Sequence, residues 1–386
     1  GYPLQPYGVK PNRYSVLDVT DIVYVNPVNT GYSRAVDDKV KREKFFGIQA
    51  DIDYLAEWIN TFIQRNNRWE SPKYLIGESY GTIRVSGLAL ALQNKQWMYL
   101  NGVILVSPTE LGIHSSRPQA DGRTGPLGAA LRLPYFTATA WYHKKLPEDL
   151  QKKFLPQVLA LSEDYSINEL IPLMAKGNSA TDAEKQEAAK TMARFSGISE
   201  NAIMSYNLDV PTTFFWKELL RDEGYTIGRL DSRYKGIDKI AGGDRPDYWA
   251  ELTSWNHSFA PAINYYFKNV LKFETDVKYN LFVSVYPWDW KNNNSGESLR
   301  KAMAANPYLH TMIQSGYYDG ATRYFDAKYT MWQLDPSGKM KDRLSFEGYR
   351  SGHMMYLREV DLIKSNSDIR KFIKKTTPSS NKPAKY

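Results

Sequence analysis

Tyr74-Leu75-Ile76-Gly77-Glu78-Ser79-Tyr80-Gly81-Thr82-Ile83 joins a short apolar run to a serine flanked by glycines, and leads into a helical stretch from Ile83 to Leu92. G-x-S-x-G between a strand and a helix is the setting of a nucleophile elbow. The glycines suit it because the serine takes an unfavourable backbone conformation and side chains beside it would collide with neighbouring backbone. Such a turn exposes the Ser79 hydroxyl and sets the Tyr80 N–H at a helix N-terminus, where it can stabilise an oxyanion. A glycine-rich turn without chemistry has the same local pattern.

Working outward, Ile22-Val23-Tyr24-Val25 reads as a fully buried strand ending at Asn26-Pro27. From about Glu43 to Gln64, Phe45, Ile48, Ile52, Leu55, Ile59 and Phe62 recur at helical spacing, leaving Asp51, Asp53, Glu57 and Asn60 on other faces. Val103-Ile104-Leu105-Val106 is another buried strand. Strand and helix alternate here as in a parallel sheet with crossover helices.

From about Leu111 to Asn269 the pattern turns helical, including Thr181 to Arg194 and Thr212 to Arg221. Strands resume at Leu281-Phe282-Val283, Met312-Ile313-Gln314 and Leu344-Ser345-Phe346, and a last helix is predicted from near Ser367-Asp368 to about Lys375. The expected organisation is a mostly parallel α/β core over residues 1–112 and 270–386, split by a helical cap over 113–269, with a disordered basic tail at 376–386.

The 386 residues include no cysteine, which excludes disulfides, thiolate metal sites and a cysteine nucleophile. No apolar run reaches the roughly 18 residues of a membrane span. Most of the net charge of +8 comes from residues 364–386, where seven lysines and arginines face only Asp368. With no nucleic-acid motif beside it, this basic run reads as solvated surface.

A nucleophilic serine needs a base and an orienting carboxylate. His114, His143 and His257 fall within or at the edges of the insertion, and His310 precedes the Met312 strand as a structural residue. His353, in Gly352-His353-Met354-Met355-Tyr356, lies in a loop after the Leu344 strand. In the α/β-hydrolase order the acid comes between serine and histidine, and Asp319 does so, just after the Met312 strand, at the sheet edge where ligands gather. Taken alone, Asp319 also reads as an Asx-turn residue and His353 as a structural histidine.

Gly77-Glu78-Ser79-Tyr80-Gly81 resembles the elbow of the serine carboxypeptidase family, and other segments resemble it too. These are Asn26-Pro27-Val28-Asn29-Thr30-Gly31-Tyr32-Ser33, Leu133-Pro134 through Trp141-Tyr142-His143, Glu218 to Gly224, Pro287-Trp288-Asp289-Trp290, Ser315 to Asp319 and Gly352 to Tyr356. The resemblance implies an α/β-hydrolase fold and release of C-terminal amino acids from peptides through an acyl-enzyme on Ser79, with His353 as base and Asp319 holding its tautomer. It also implies that Glu78, protonated, binds the substrate's terminal carboxylate, although Glu78 could simply cap the turn. No metal or organic cofactor, nucleic acid or membrane is implied, and the likeness to bacterial members suggests a periplasmic or secreted protein. The family has strands and a glycine-rich loop, the source of a second oxyanion donor, ahead of the Asn26 segment. This sequence begins after that point, so the working protein is expected to carry a further N-terminal portion. Loss of that donor would cost about 10²–10³ in rate. Arg323, where relatives often have proline, reads as a tolerated loop change. The same triad also serves esterases and acyltransferases, and the fold serves inactive binding proteins.

Overall fold

The computed structural model describes residues 8–37, 39–113 and 126–378. The chain runs through α1 (Ile48–Arg65), β1 (Tyr74–Glu78), α2 (Tyr80–Gln96) and β2 (Gly102–Val106). A helical layer follows: α3 (Pro126–Tyr142), α4 (Glu148–Gln151), α5 (Leu155–Tyr165), α6 (Ile171–Ala175), α7 (Asp182–Ser196), α8 (Glu200–Ser205) and α9 (Thr212–Glu218). A small antiparallel hairpin, β3 (Thr226–Ile227) and β4 (Lys235–Gly236), comes before α10 (Ala250–Tyr265). The chain ends through α11 (Ser295–Ala305), β5 (His310–Gly316), α12 (Tyr324–Leu334), β6 (Leu344–Tyr349) and α13 (Glu359–Thr376).

β1, β2, β5 and β6 pair in that order, all parallel, giving a mostly parallel α/β core of the α/β-hydrolase class. Glu78 lies beside Val106, Val106 beside Gln314 and Gln314 beside Glu347, so the strands end along a common edge. Both faces are covered, as a parallel sheet requires. On one side Ile48, Ile52 and Leu55 of α1, spaced one helical turn apart, pack with Ile83, Leu88 and Leu92 of α2 and Leu299 of α11 against Val103, Leu105 and Ile313. On the other, Ile369, Phe372 and Ile373 of α13 cover Ile104, Val106 and Met312. The helical layer has its own core, in which Leu133, Phe136 and Ala140 of α3 meet Phe215 and Trp216 of α9, the two phenyl rings stacked at 3.9 Å.

Several sequence expectations change. Ile22–Val25 and Leu281–Val283 form no strand; Tyr24 is 89% and Phe282 74% exposed. β propensity makes a strand only where a partner accepts its hydrogen bonds, and no described strand lies beside either run. Gly31 instead bridges singly to Asn280. The last helix begins at Glu359 rather than near Ser367, with Glu359 and Asp361 in its first turn, where the helix dipole favours acids.

The basic run is partly structured. Lys364 bonds Glu347 and Asp368, and Arg370 bonds Asp18; the tail expected to be disordered from 376 starts inside α13, where Thr376 is buried, and lies outside the described residues beyond 378. Asp51 is buried, not on an outer face, because Arg84 of α2 stands opposite and forks its carboxylate at 2.7 and 3.2 Å. Arg323 is no loop change. It is 2% exposed at the start of α12, pairs with Asp326 at 2.6 and 2.8 Å, and donates to Thr212 Oγ1 at the start of α9.

The two elbow glycines differ. A side chain at Gly77 would overlap the carbonyl of Gly81, whereas Gly81 itself faces open space, so crowding demands only the first. Gly77→Ala should therefore destabilise the fold by about 1–3 kcal/mol, while Gly81→Ala leaves the melting temperature unchanged or slightly raised. Parallel thermal melts test this, and equal melting of both variants would contradict it.

Candidate active site

β1 runs directly into Ser79, held at φ 54° and ψ −122°, a strained conformation for a residue with a side chain. Its N–H donates to the Val106 carbonyl at 3.0 Å, which ties the turn to β2. Tyr80 opens α2, where first-turn N–H groups have no intrahelical acceptor. The Tyr80 ring packs edge-on against Trp288 and Trp290 and lies over Arg84, so aromatic and charged neighbours fix the residue whose N–H faces the turn.

Two more strand ends meet this edge. After β5, Asp319 is fully buried and receives four hydrogen bonds. Oδ1 accepts the N–H groups of Ala321 and Thr322 at 2.8 and 3.0 Å, an Asx-type turn. Oδ2 accepts the Thr322 hydroxyl at 2.6 Å and His353 Nδ1 at 2.7 Å. The turn-forming and histidine-orienting readings of Asp319 therefore hold together, one on each oxygen.

After β6, His353 is fixed by its backbone as well, its N–H on Leu230 C=O and its C=O on the Ser107 hydroxyl, both at 2.7 Å. Burial alone would lower the imidazole pKa. The charge and hydrogen bond of Asp319, helped by Glu78, outweigh it and raise the pKa above the ordinary value.

Glu78 accepts the Tyr356 hydroxyl at 3.1 and 2.9 Å on its two oxygens. Burial raises its pKa, the charge of His353 and the Tyr356 bond oppose this, and Asp319 adds to it. Asp319 and His353 are bonded to each other, and Tyr356, three residues after His353, bonds the Glu78 that precedes Ser79, so Glu78, Ser79, Asp319 and His353 lie at one edge of the sheet.

Sequence reasoning missed Thr322, Ser107 and Tyr356 as partners. Only the spacing Asp319-Gly320-Ala321-Thr322 hinted at the first, as a capping pattern. Of the other histidines, His114 lies outside the described residues. His143 bonds Ser232 C=O from just after α3, His257 is exposed on α10, and His310 opens β5 at the opposite end of the sheet, its pKa lowered to about 4 by burial and by Lys375 and Arg343. Tyr135, Phe136 and Trp255 are core residues, while Tyr142 is 43% exposed.

Among protein-family models, serine carboxypeptidase matches residues 4–217, more than half of the chain. The chain belongs to the serine carboxypeptidase family. The matched stretch holds the elbow and ends before Asp319 and His353, and membership makes the chain a serine-peptidase type of hydrolase. No curated protein matches this serine carboxypeptidase family member significantly. Among solved structures it is similar to the crystal structure of VinJ at 12% identity and a TM-score of 0.31, covering 87% of this chain and 75% of that one. So loose a likeness carries no argument.

The hydrogen-bond pattern predicts a graded response to a fluorophosphonate, which labels an activated serine. Asp319→Asn should slow labelling of Ser79 by about 10³–10⁴ because His353 loses its tautomer and its charge partner. Thr322→Val, which removes one donor from Oδ2, should slow it about tenfold. Labelling of both variants at the wild-type rate would contradict this arrangement.

Proposed function

We propose that the protein is a serine carboxypeptidase, releasing C-terminal amino acids one at a time from peptides with a free carboxylate. The observation that carries this reading is the pairing of Glu78 with Tyr356 beside the elbow serine, with the Glu78 pKa raised. A neutral carboxyl at that point can donate to a substrate carboxylate, and an ionised one would repel it.

In this mechanism His353 Nε2 takes the Ser79 proton as Oγ attacks the last peptide carbonyl. The Tyr80 N–H supports the oxyanion, and the same imidazole returns the proton to the departing amine. Asp319 holds Nδ1–H and stabilises the imidazolium without itself taking the proton. Water then attacks the acyl-enzyme by the same route, restoring Ser79.

The two raised pKa values act in opposite directions. His353 works as a base only when neutral, so turnover of any ester rises with pH through its pKa. Recognition of the carboxylate needs protonated Glu78, so preference for a free over an amidated C-terminus falls as pH rises through the Glu78 pKa. Digestion of a blocked peptide and its amidated twin at pH 5 and pH 8, followed by mass spectrometry, should show stepwise loss from the free form, favoured most at pH 5. Ser79→Ala should abolish it, and Glu78→Gln should weaken the pH dependence of the preference. Equal cleavage of the twins at both pH values would refute carboxylate recognition.

A further inference from the structure

The β3–β4 hairpin belongs to the helical layer, yet its tip lies against both loops that carry Asp319 and His353. Gly320 N–H donates to Arg229 C=O at 2.9 Å, His353 N–H to Leu230 C=O at 2.7 Å, and Ser232 N–H to Tyr318 C=O at 2.9 Å. Arg233 Nη1 donates to Arg350 C=O at 3.0 Å. One short segment thus holds the residues on either side of Asp319, and His353 itself. Gly352 makes the approach possible, since a side chain there would meet Leu230 C=O and the Asp231 side chain at 2.5 Å.

The tip is anchored in turn by two helices. Thr139 Oγ1 of α3 bonds Ser232 Oγ, and His143 Nε2, just past the end of that helix, donates to Ser232 C=O, both at 2.8 Å. From α10, Glu251 Oε1 accepts Leu230 N–H at 2.7 Å. Glu251 is fully buried, and burial pushes its carboxyl up to about 7 despite that bond. A buried acid is costly to the fold, and an apolar residue of similar volume is often neutral or stabilising in its place. What an apolar residue cannot supply is the acceptor for Leu230. That residue is bonded on both sides, its N–H to Glu251 and its C=O to His353 N–H, so a shift at Glu251 passes directly to the histidine backbone.

We propose that Glu251 is a positioning residue for catalysis, acting through Leu230 and the hairpin tip to fix the angle at which His353 meets Asp319 and Ser79. The inference rests on the serine-hydrolase reading above and adds to it a part played by the helical layer in the chemistry itself.

The test uses the full chain and three variants. Glu251→Leu keeps the volume and removes the acceptor, Glu251→Gln keeps the acceptor, and Glu251→Asp keeps the charge but shortens the reach. The measurements are the rate of fluorophosphonate labelling, kcat and KM on a p-nitrophenyl ester per labelled site, and the melting temperature. Glu251→Gln should stay within about threefold of wild type. Glu251→Leu should lose about 10–100-fold in labelling rate and kcat with KM nearly unchanged, since a misplacement of about 1 Å can cost that much. Glu251→Asp should lose about tenfold and serves as the deciding variant if the leucine protein does not fold.

Rescue by glutamine and loss confined to kcat are effects that a merely structural carboxyl would not produce. Wild-type rates in Glu251→Leu or Glu251→Asp, or equal losses in the glutamine and leucine variants, would overturn the proposal. Absence of labelling in the wild type would instead sink the serine-hydrolase reading, so the two failures are distinct.

Discussion

The parallel register of β1, β2, β5 and β6 is the constraint on which the site depends. Because Glu78, Val106, Gln314 and Glu347 stand side by side, the chain leaves three of these strands at the same edge and turns there three times. Each turn delivers one polar residue: Ser79, Asp319 and His353. The register in turn depends on helices burying both faces, and the closest helix, α2, can start where it does only because Gly77 has no side chain to meet the Gly81 carbonyl.

Much of this was legible before any coordinates. Val103–Val106 and Met312–Gln314 are short apolar runs buried on both sides, and their partners were present, so period and composition sufficed. Ile22–Val25 looks the same in sequence, and no described strand pairs with it. A strand is a property of a pair, and one segment carries only half of the information. Asp51 and Arg323 were misread as well. Asp51 is paired by Arg84, thirty-three residues away on another helix, which the pattern cannot see, whereas Asp326 stands only three residues after Arg323 and the misreading there was of burial. The site residues stood out through local motifs. Of their supports, Ser107 and the β3–β4 tip reach them from distant segments with no motif of their own, whereas Thr322 stands three residues after Asp319 and Tyr356 three after His353.

Two carboxyls within one site are treated differently by their surroundings. Among the described residues, Asp319 has four donors on its two oxygens, three of them from its own turn, while Glu78 has a single phenol. Burial favours the neutral form of Glu78 and its one phenolic bond opposes this only in part, so its pKa stays raised.

Among the described residues, β1 and β6 are the outer strands of the sheet, and β5 is interior. The serine and the histidine therefore grow from strands with one described neighbour each, and Ile76 on β1 is 57% exposed, whereas the aspartate grows from a strand laced on both sides. Stiffness across the site is uneven. The carboxylate is the fixed post, and the serine and the histidine hang from strands with fewer partners, held in line by the elbow, by α2 and by the loops that bind them from the helical side.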